Sequence, residues 1–447
     1  MKHQNKAILG GLMGNVVEAY DMSICYFMAN EMSRHLIGNN KGSLTVVLSL
    51  IFIAYLAKPI GAFILGLFSD LYGRKNVLMV SILIMGVSTA LIGLIPGYQH
   101  IGLFAAGLLL TLRIIQSMAL GSEFLNSASL LVESGNDQQR GFRGCWSSVG
   151  VKAGYLLACL IVEGMRYYSS SSADGDYLWR LPFLFALFTT LIGFYIRAKM
   201  PESLAYIVYY ANRAKPSTRD IYRQALSYMK KYPFMFHYAF FSSFLSVTTG
   251  FFFYLYIPLH AIQYANLSRS LIMTSNTLSL AFVTLLIPIF GWLSDRQDRL
   301  KMLTFASSGL LVLAYPFMHG INYGSAGYYI LMQLLISIPC ACYYSVATVL
   351  LTELFPLPIR CTALAIVYSV AASIAAGLPP LLSDYLARKT HMPSSPSIII
   401  IILATIVLVN IKILAQRYRL GKNRYSSTAL EDAVPLFTLH YQLQLKD

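Results

Sequence analysis

Runs of about 20 residues with very few charges recur from one end of the sequence to the other, and each is long enough to cross a hydrocarbon layer of roughly 30 Å as a helix. Twelve can be traced, at approximately 8–30, 44–68, 77–95, 101–132, 145–165, 181–198, 234–259, 268–293, 302–319, 326–351, 362–386 and 396–414. Nothing else in the chain restricts its fold as strongly, because in lipid every backbone N–H and C=O must find its partner within the segment. A soluble protein with many long buried helices would need polar faces on them, and these runs have none. Composition agrees: of 447 residues, 56% are hydrophobic and 12% charged. The fold class that follows is an all-α integral membrane protein of twelve transmembrane helices in two six-helix bundles.

A net charge of +15 invites a nucleic-acid reading until the cations are located. Placing the N-terminus inside puts most Lys and Arg in segments that become cytoplasmic, including the stretches around Arg74, Arg140, Arg296 and Arg360. That asymmetry is the positive-inside pattern. It sets both termini in the cytoplasm and removes the need for a nucleic-acid partner. All six cysteines (Cys25, Cys145, Cys159, Cys340, Cys342, Cys361) fall in or beside the runs without CxxC spacing, and no His stands at metal-ligand spacing. They read as small apolar residues, and no metal or other cofactor is expected. The first apolar run is followed by another span instead of a cleavage site, so it is retained as the first helix.

The longest polar interval follows the sixth run and divides the chain into a bundle over 1–198, a linker over 199–233 with a short surface helix near Ser217 to Lys230, a second bundle over 234–416 and a tail over 417–447. The two bundles share a pattern. GLFSDLYGRK begins at Gly66 and GWLSDRQDRLK at Gly291; LLVESGNDQQR begins at Leu130 and LLTELFPLPIR at Leu350. The second pair keeps a Glu and an Arg at the same spacing, Glu133 with Arg140 and Glu353 with Arg360. Motif pairs repeated at similar offsets between equivalent spans indicate a duplicated six-helix unit. Transporters built from such repeats hold substrate near the bilayer midplane, between halves that rock against each other.

GLFSDLYGRK carries Gly66, Asp70, Gly73, Arg74 and Lys75 in the G-x-x-x-D-x-x-G-R-K order of the major facilitator superfamily loop signature, and the chain resembles that superfamily over residues 8 to about 414. GNVVEAYDMS, LAKPIGAFILG, RIIQSMALGSEF, YLWRLPF and ELFPLPIRCTALA further resemble its metabolite:proton symporter family, which transports proline/betaine, α-ketoglutarate, citrate and shikimate. The resemblance implies a proton-coupled, monomeric, multi-pass transporter of the bacterial inner membrane. It also implies that Gly66, Asp70, Gly73 and Arg74, with Asp295 of the second copy, join the halves on the cytoplasmic side when the cavity opens outward. Glu133, Arg140, Glu353 and Arg360 are expected in the same charge network.

The ionisable residues inside the runs carry the functional argument. A charge at the centre of a membrane helix costs about 2.5–3.5 kcal/mol on the insertion scale. Yet the first half holds Glu18, Asp21, Lys58, Arg113, Glu123 and Lys152 within its runs. Glu18 and Asp21, three apart, share a helix face. Two carboxylates in a poorly solvated place do not both carry charge cheaply, as a proton-coupling site requires. Glu18, Asp21 and Glu123 are therefore the proton-coupling candidates, against the alternative that each is paired with Arg113, Lys58 or Lys152 to hold helices together. Lys58, Arg113 and Lys152 offer positive sites to an anionic or zwitterionic solute, Arg bidentately and Lys as a point charge. Arg180 at the outer start of the sixth run and Tyr20, Tyr254 and Tyr368 complete the substrate candidates. Pro258, Pro288, Pro339 and the Gly377–Pro380 stretch are expected to interrupt spans of the second half.

The reading is a secondary active transporter importing a small organic acid or zwitterion with protons. Proton-coupled efflux of amphipathic compounds is the alternative, and a non-transporting membrane receptor or scaffold is the competitor from another class. An enzyme is not expected: no Ser/His/Asp constellation, metal motif or GxxxxGK[ST] loop is present. Without a nucleotide site, the gradient must supply the energy.

Overall fold

The architecture was analysed in a computed structural model that describes residues 2–38, 43–121, 123–134, 137–169, 178–211, 217–265, 267–321 and 325–424. Most of the tail assigned to 417–447 lies outside the described residues. The longer helices of the first half are α1 (Lys2–Phe27), α2 (Ser43–Tyr55), α3 (Lys58–Tyr72), α4 (Arg74–Leu94), α5 (Phe104–Ala119), α6 (Glu123–Glu133), α7 (Arg140–Ser169) and α8 (Leu181–Ala198). After the linker helices α9 (Leu204–Tyr210) and α10 (Thr218–Lys231) come α11 (Pro233–Phe251), α12 (Ile257–Tyr264), α13 (Arg269–Ser294), α14 (Arg299–Gly320), α15 (Ala326–Glu353), α16 (Arg360–Thr390) and α17 (Ser397–Arg424). Among the described residues, 11 helical stretches are long and apolar enough to cross a membrane. By length α1 is a twelfth, with Asn15, Glu18, Asp21 and Ser23 inside it.

Helices α2 with α3, α5 with α6, and α11 with α12 are single spans with an irregularity inside. The first two interruptions place Lys58 at the start of α3 and Glu123 at the start of α6. The third is a π-helical turn over Phe252–Tyr256, just ahead of Pro258 in the first turn of α12. The expected interruptions at Pro288, Pro339 and Pro379–Pro380 are not found: α13, α15 and α16 run through them. The expected runs also end too early at one end of the bundle. Helix α3 continues to Tyr72, while α7 begins at Arg140 and α16 at Arg360. Asp70 and Arg360 there belong to helix ends, not to loops, because partners across the bundle satisfy them.

Each half packs around its own helices, with α1 against α7 and α8, α4 against α8 and α5, α13 and α14 against α15, and α11 against α16 and α17. The halves meet along two main seams, α7 against α13 and α3 against α16. Helix α10 ties them from outside. Ser217 caps it, donating its backbone N–H to Asp220 and accepting that of Asp220 on its hydroxyl. Ile221 and Ala225 then bury against Leu71 of the first half and Ile359 of the second.

The turn from α3 to α4 depends on Gly73, at φ 97° and ψ 159°, a region essentially restricted to glycine. A side chain there would also meet the Glu202 carboxylate, which accepts the backbone N–H groups of Arg74 and Lys75 at 3.0 and 3.1 Å. Gly73→Ala is expected to destabilise the protein by about 1–3 kcal/mol. Gly73→Asn should give no rescue, since Asn tolerates the left-handed helical region and not this one. Thermal unfolding of purified variants in detergent checks both.

Candidate functional site

A cavity lies between the halves, midway along the spans. Its first-half wall comes from Glu18, Ala19 and Met22 of α1, Tyr55 and Lys58 at the α2–α3 break, Phe124 of α6, and Ser148, Val151, Lys152 and Tyr155 of α7. Helix α11 faces them with Ser246, Val247, Gly250 and Phe251, α15 with Tyr344, and α16 with Tyr368, Ala372 and Ala376.

Three charges face this space without a direct counter-charge. The Lys152 ammonium lies 3.9 Å from the centre of the Tyr344 ring, 5.1 Å from that of Tyr155 and 5.2 Å from that of Tyr254. Tyr344 is fixed in turn: its hydroxyl donates to Thr249 Oγ1 at 3.1 Å, and its carbonyl accepts from Ser148 at 2.9 Å. Lys58 lies 5.6 Å from the Tyr368 ring centre. Neither lysine forms an ion pair among the described residues, and Glu18 Oε2 is buried without a hydrogen-bond partner. Desolvated cation–π contact contributes about 2 kcal/mol or somewhat more, against several per ion for the hydration a buried ammonium gives up. The lysines therefore sit in a place suited to an incoming anionic group. Glycine at position 250 leaves room for this, since a Cβ there would lie 3.0 Å from Lys152 Nζ.

The other candidates lie behind the cavity wall. Asp21 accepts from Thr89 Oγ1 at 2.9 Å, Thr89 accepts from the Gln116 amide, and the Gln116 carbonyl accepts from Arg113. This chain joins Asp21 to Arg113 inside the first half, with Arg113 also against Cys25 Sγ at 3.2 Å and the Tyr55 ring. Asp21 Oδ1 and Arg113 Nε and Nη2 keep no partner. Tyr20 donates to the carbonyl of Pro182 at 2.7 Å, and Tyr254 shares a hydrogen bond with Ser337. Arg180 donates to the carbonyls of Gly93 and Ile95 at 2.6 and 2.7 Å.

Glu123 is ion-paired to Arg197 and accepts from Ser81. Arg197 also donates to the Leu78 carbonyl at 2.6 Å and is fully buried. Sequence reasoning left Arg197 at the end of the sixth run and missed this role. A stripe of Ala186, Thr190 and Gly193, at helical spacing from Arg197 and buried with it, was the available signal.

At the end of the bundle where α1 begins, two latches close the seams in the same way. Asp70 accepts the Thr362 backbone N–H at 2.8 Å, its hydroxyl at 2.7 Å, and the Cys361 N–H at 3.3 Å, all at the start of α16. Asp295 accepts the N–H groups of Gly141 and Phe142 at 2.6 and 2.8 Å, at the start of α7 just after Arg140. Each acid thus caps a helix of the opposite half, where the helix dipole favours negative charge. Gly66 allows the first contact, since a Cβ there would come within 3.1 Å of the Thr362 Cα. Arg74 lies 3.5 Å from Asp70 and 3.4 Å from Glu133, and Arg360 reaches Glu133 at 2.8 Å. In the second copy Arg299 lies 3.6 Å from Asp295 and is paired to Glu353. Glu353 therefore pairs with Arg299, and Arg360 crosses to the other half.

A family model described as Major Facilitator Superfamily matches residues 12–338 and 239–437. The chain belongs to the Major Facilitator Superfamily. An ectoine/proline transporter, ProP, of Corynebacterium glutamicum is 28% identical over 416 residues, covering 90% of this chain and 82% of its own. A proline/betaine transporter of Escherichia coli is 28% identical over 448 residues, covering 98% and 89%. A glycine betaine/proline/ectoine/pipecolic acid transporter, OusA, of Dickeya dadantii is 28% identical over 414 residues, covering 90% and 82%. Among solved structures, the proton:xylose symporter XylE bound to 6-bromo-6-deoxy-D-glucose superposes with TM-score 0.72 at 15% identity, covering 93% of this chain and 96% of XylE. A partially occluded inward-open form of XylE from E. coli gives 0.67 at 15% identity, covering 93% and 98%. The protein is a multi-pass membrane transporter of this superfamily and not an enzyme.

Breaking the buried Glu123–Arg197 pair from one side should cost about 3–5 kcal/mol. Glu123→Gln and Arg197→Met are each expected to lower the yield of folded protein sharply, and the double variant to recover most of it. Size-exclusion profiles and a double-mutant thermal cycle measure this. At the latch, Asp295→Asn weakens the cap on α7 that shields buried Cys145. Alkylation of Cys145 by N-ethylmaleimide, followed by peptide mass spectrometry, is expected to accelerate in that variant relative to the native protein.

Proposed function

We propose that the protein imports a small zwitterionic solute of the betaine or amino-acid type together with protons, by alternating access around the central cavity. The observation that carries this reading is the pairing in one cavity of Lys152, which has no counter-charge, with Glu18 and a ring of aromatic side chains. Lys152 and Lys58 suit a substrate carboxylate. Glu18, whose Oε2 has no hydrogen-bond partner, suits an ammonium or quaternary nitrogen at the other pole. The names of the relatives point the same way, since ectoine, proline and betaine carry both poles. Asp21 and Glu18 are the proposed proton carriers. Asp21 sits behind the wall on the Thr89–Gln116–Arg113 chain, so its charge state is felt by α1 without direct contact with the solute.

The proposal places the latch end in the cytoplasm, takes the proton gradient as the energy source with no resident cofactor, and takes the monomer as the working unit. Closed latches then hold the cytoplasmic side shut while the solute occupies the cavity from the other side.

In proteoliposomes with an inside-alkaline gradient, labelled glycine betaine, proline or ectoine is expected to accumulate, and dissipating the gradient should abolish accumulation. Truncating one partner of a desolvated charge pair costs about 2 kcal/mol or more, so Lys152→Met should lower uptake efficiency by at least about 30-fold. Full uptake by Lys152→Met, or preferential transport of lipophilic cations, would reject the zwitterion reading in favour of efflux of amphipathic compounds.

A further inference from the structure

A second cavity, open to solvent beside the exposed Leu259 and Arg269, lies between the halves toward the end opposite the latches. Tyr26 and Asn30 of the first span, Glu163 of α7, Leu259 of α12 and Arg269 of α13 are among its lining residues. Its two charged groups come from opposite halves. Arg269 is near enough for its charge to act on Glu163, yet the two make no direct ion pair among the described residues. Glu163 Oε1 is buried without a hydrogen-bond partner. An acid and a base held apart across a cavity, neither neutralising the other directly, form a template for a molecule with one pole of each sign.

The partition from the central cavity is one aromatic layer thick. Tyr26 lines the outer space, its ring centre lies 5.5 Å from that of Phe251, and its hydroxyl donates to the carbonyl of Ala376 at 3.4 Å. Phe251 and Ala376 both line the central cavity. The π-helical turn Phe252–Tyr256 begins immediately after Phe251, so the span is irregular at this partition.

We infer that this outer cavity is a second binding site for a zwitterionic solute, held between Glu163 and Arg269, from which the solute passes Tyr26 and Phe251 to reach Lys152. Its ammonium faces Glu163 and the ring of Tyr26, and its carboxylate faces Arg269. The identity of the occupant rests on the zwitterion reading of the central cavity, whereas the site itself rests on its own residues.

The test uses a reporter thiol in the full-length protein. Leu259 lines the cavity and is exposed, and all six native cysteines are buried. In Leu259→Cys, the rate of modification by a charged methanethiosulfonate reagent is read with and without glycine betaine. Saturable protection is expected, reaching roughly threefold at twice the dissociation constant. Protection should persist when Lys152→Met disables the central cavity and should disappear with Glu163→Gln or Arg269→Gln. Asn30→Cys provides a second reporter should the first fold poorly. No protection at either reporter, protection lost with Lys152→Met, or protection indifferent to both charge removals would overturn the inference. Uptake without protection rejects the outer site alone, and protection without uptake rejects the transport reading alone.

Discussion

A charge or a bare peptide group inside hydrocarbon has no water to turn to, and the placement of the charged side chains within the first half follows from that restriction. Glu123 and Arg197 neutralise each other. Asp21 is bonded through Thr89 and Gln116 toward Arg113. The charges left without direct partners, Glu18, Lys58 and Lys152, are those that face the space between the halves. Paired charges join helices of the first half to one another, while Glu18, Lys58 and Lys152 line the space between the halves.

The same restriction explains the asymmetry between the halves. The second half contributes hydroxyls and aromatic faces to the cavity, through Ser246, Tyr344 and Tyr368, and no ionised group. At the central cavity the ammonium groups of the first half therefore meet rings, not carboxylates, from the second. Rings are suited to this work because they stabilise a cation from several orientations at modest cost in lost side-chain freedom.

Much of the architecture was legible in the sequence, because span length and charge content are direct consequences of the bilayer and the duplicated motifs identify equivalent helix ends. Helix ends at the latches were less legible. A window that stops at a charge cannot anticipate that Asp70 and Arg360 are satisfied from across the bundle. For the site, sequence picked out the ionisable residues but not their grouping. Three apart on α1, Glu18 faces the cavity while Asp21 turns toward Thr89, because three residues is less than one full helical turn. Lys152, for which a pair with Glu123 was open from sequence, stands instead among three tyrosines. Arg197 escaped notice because a cation at a span end ordinarily reads as part of the following loop.

Asp70 finishes a helix that belongs to the second half, and Asp295 finishes one that belongs to the first. Neither lobe is self-sufficient: parted, each would retain an orphaned carboxylate and a helix start stripped of its anion. Removing either aspartate therefore uncovers a helix start in the opposite lobe, and a lobe made alone lacks the anion that its counterpart lends it.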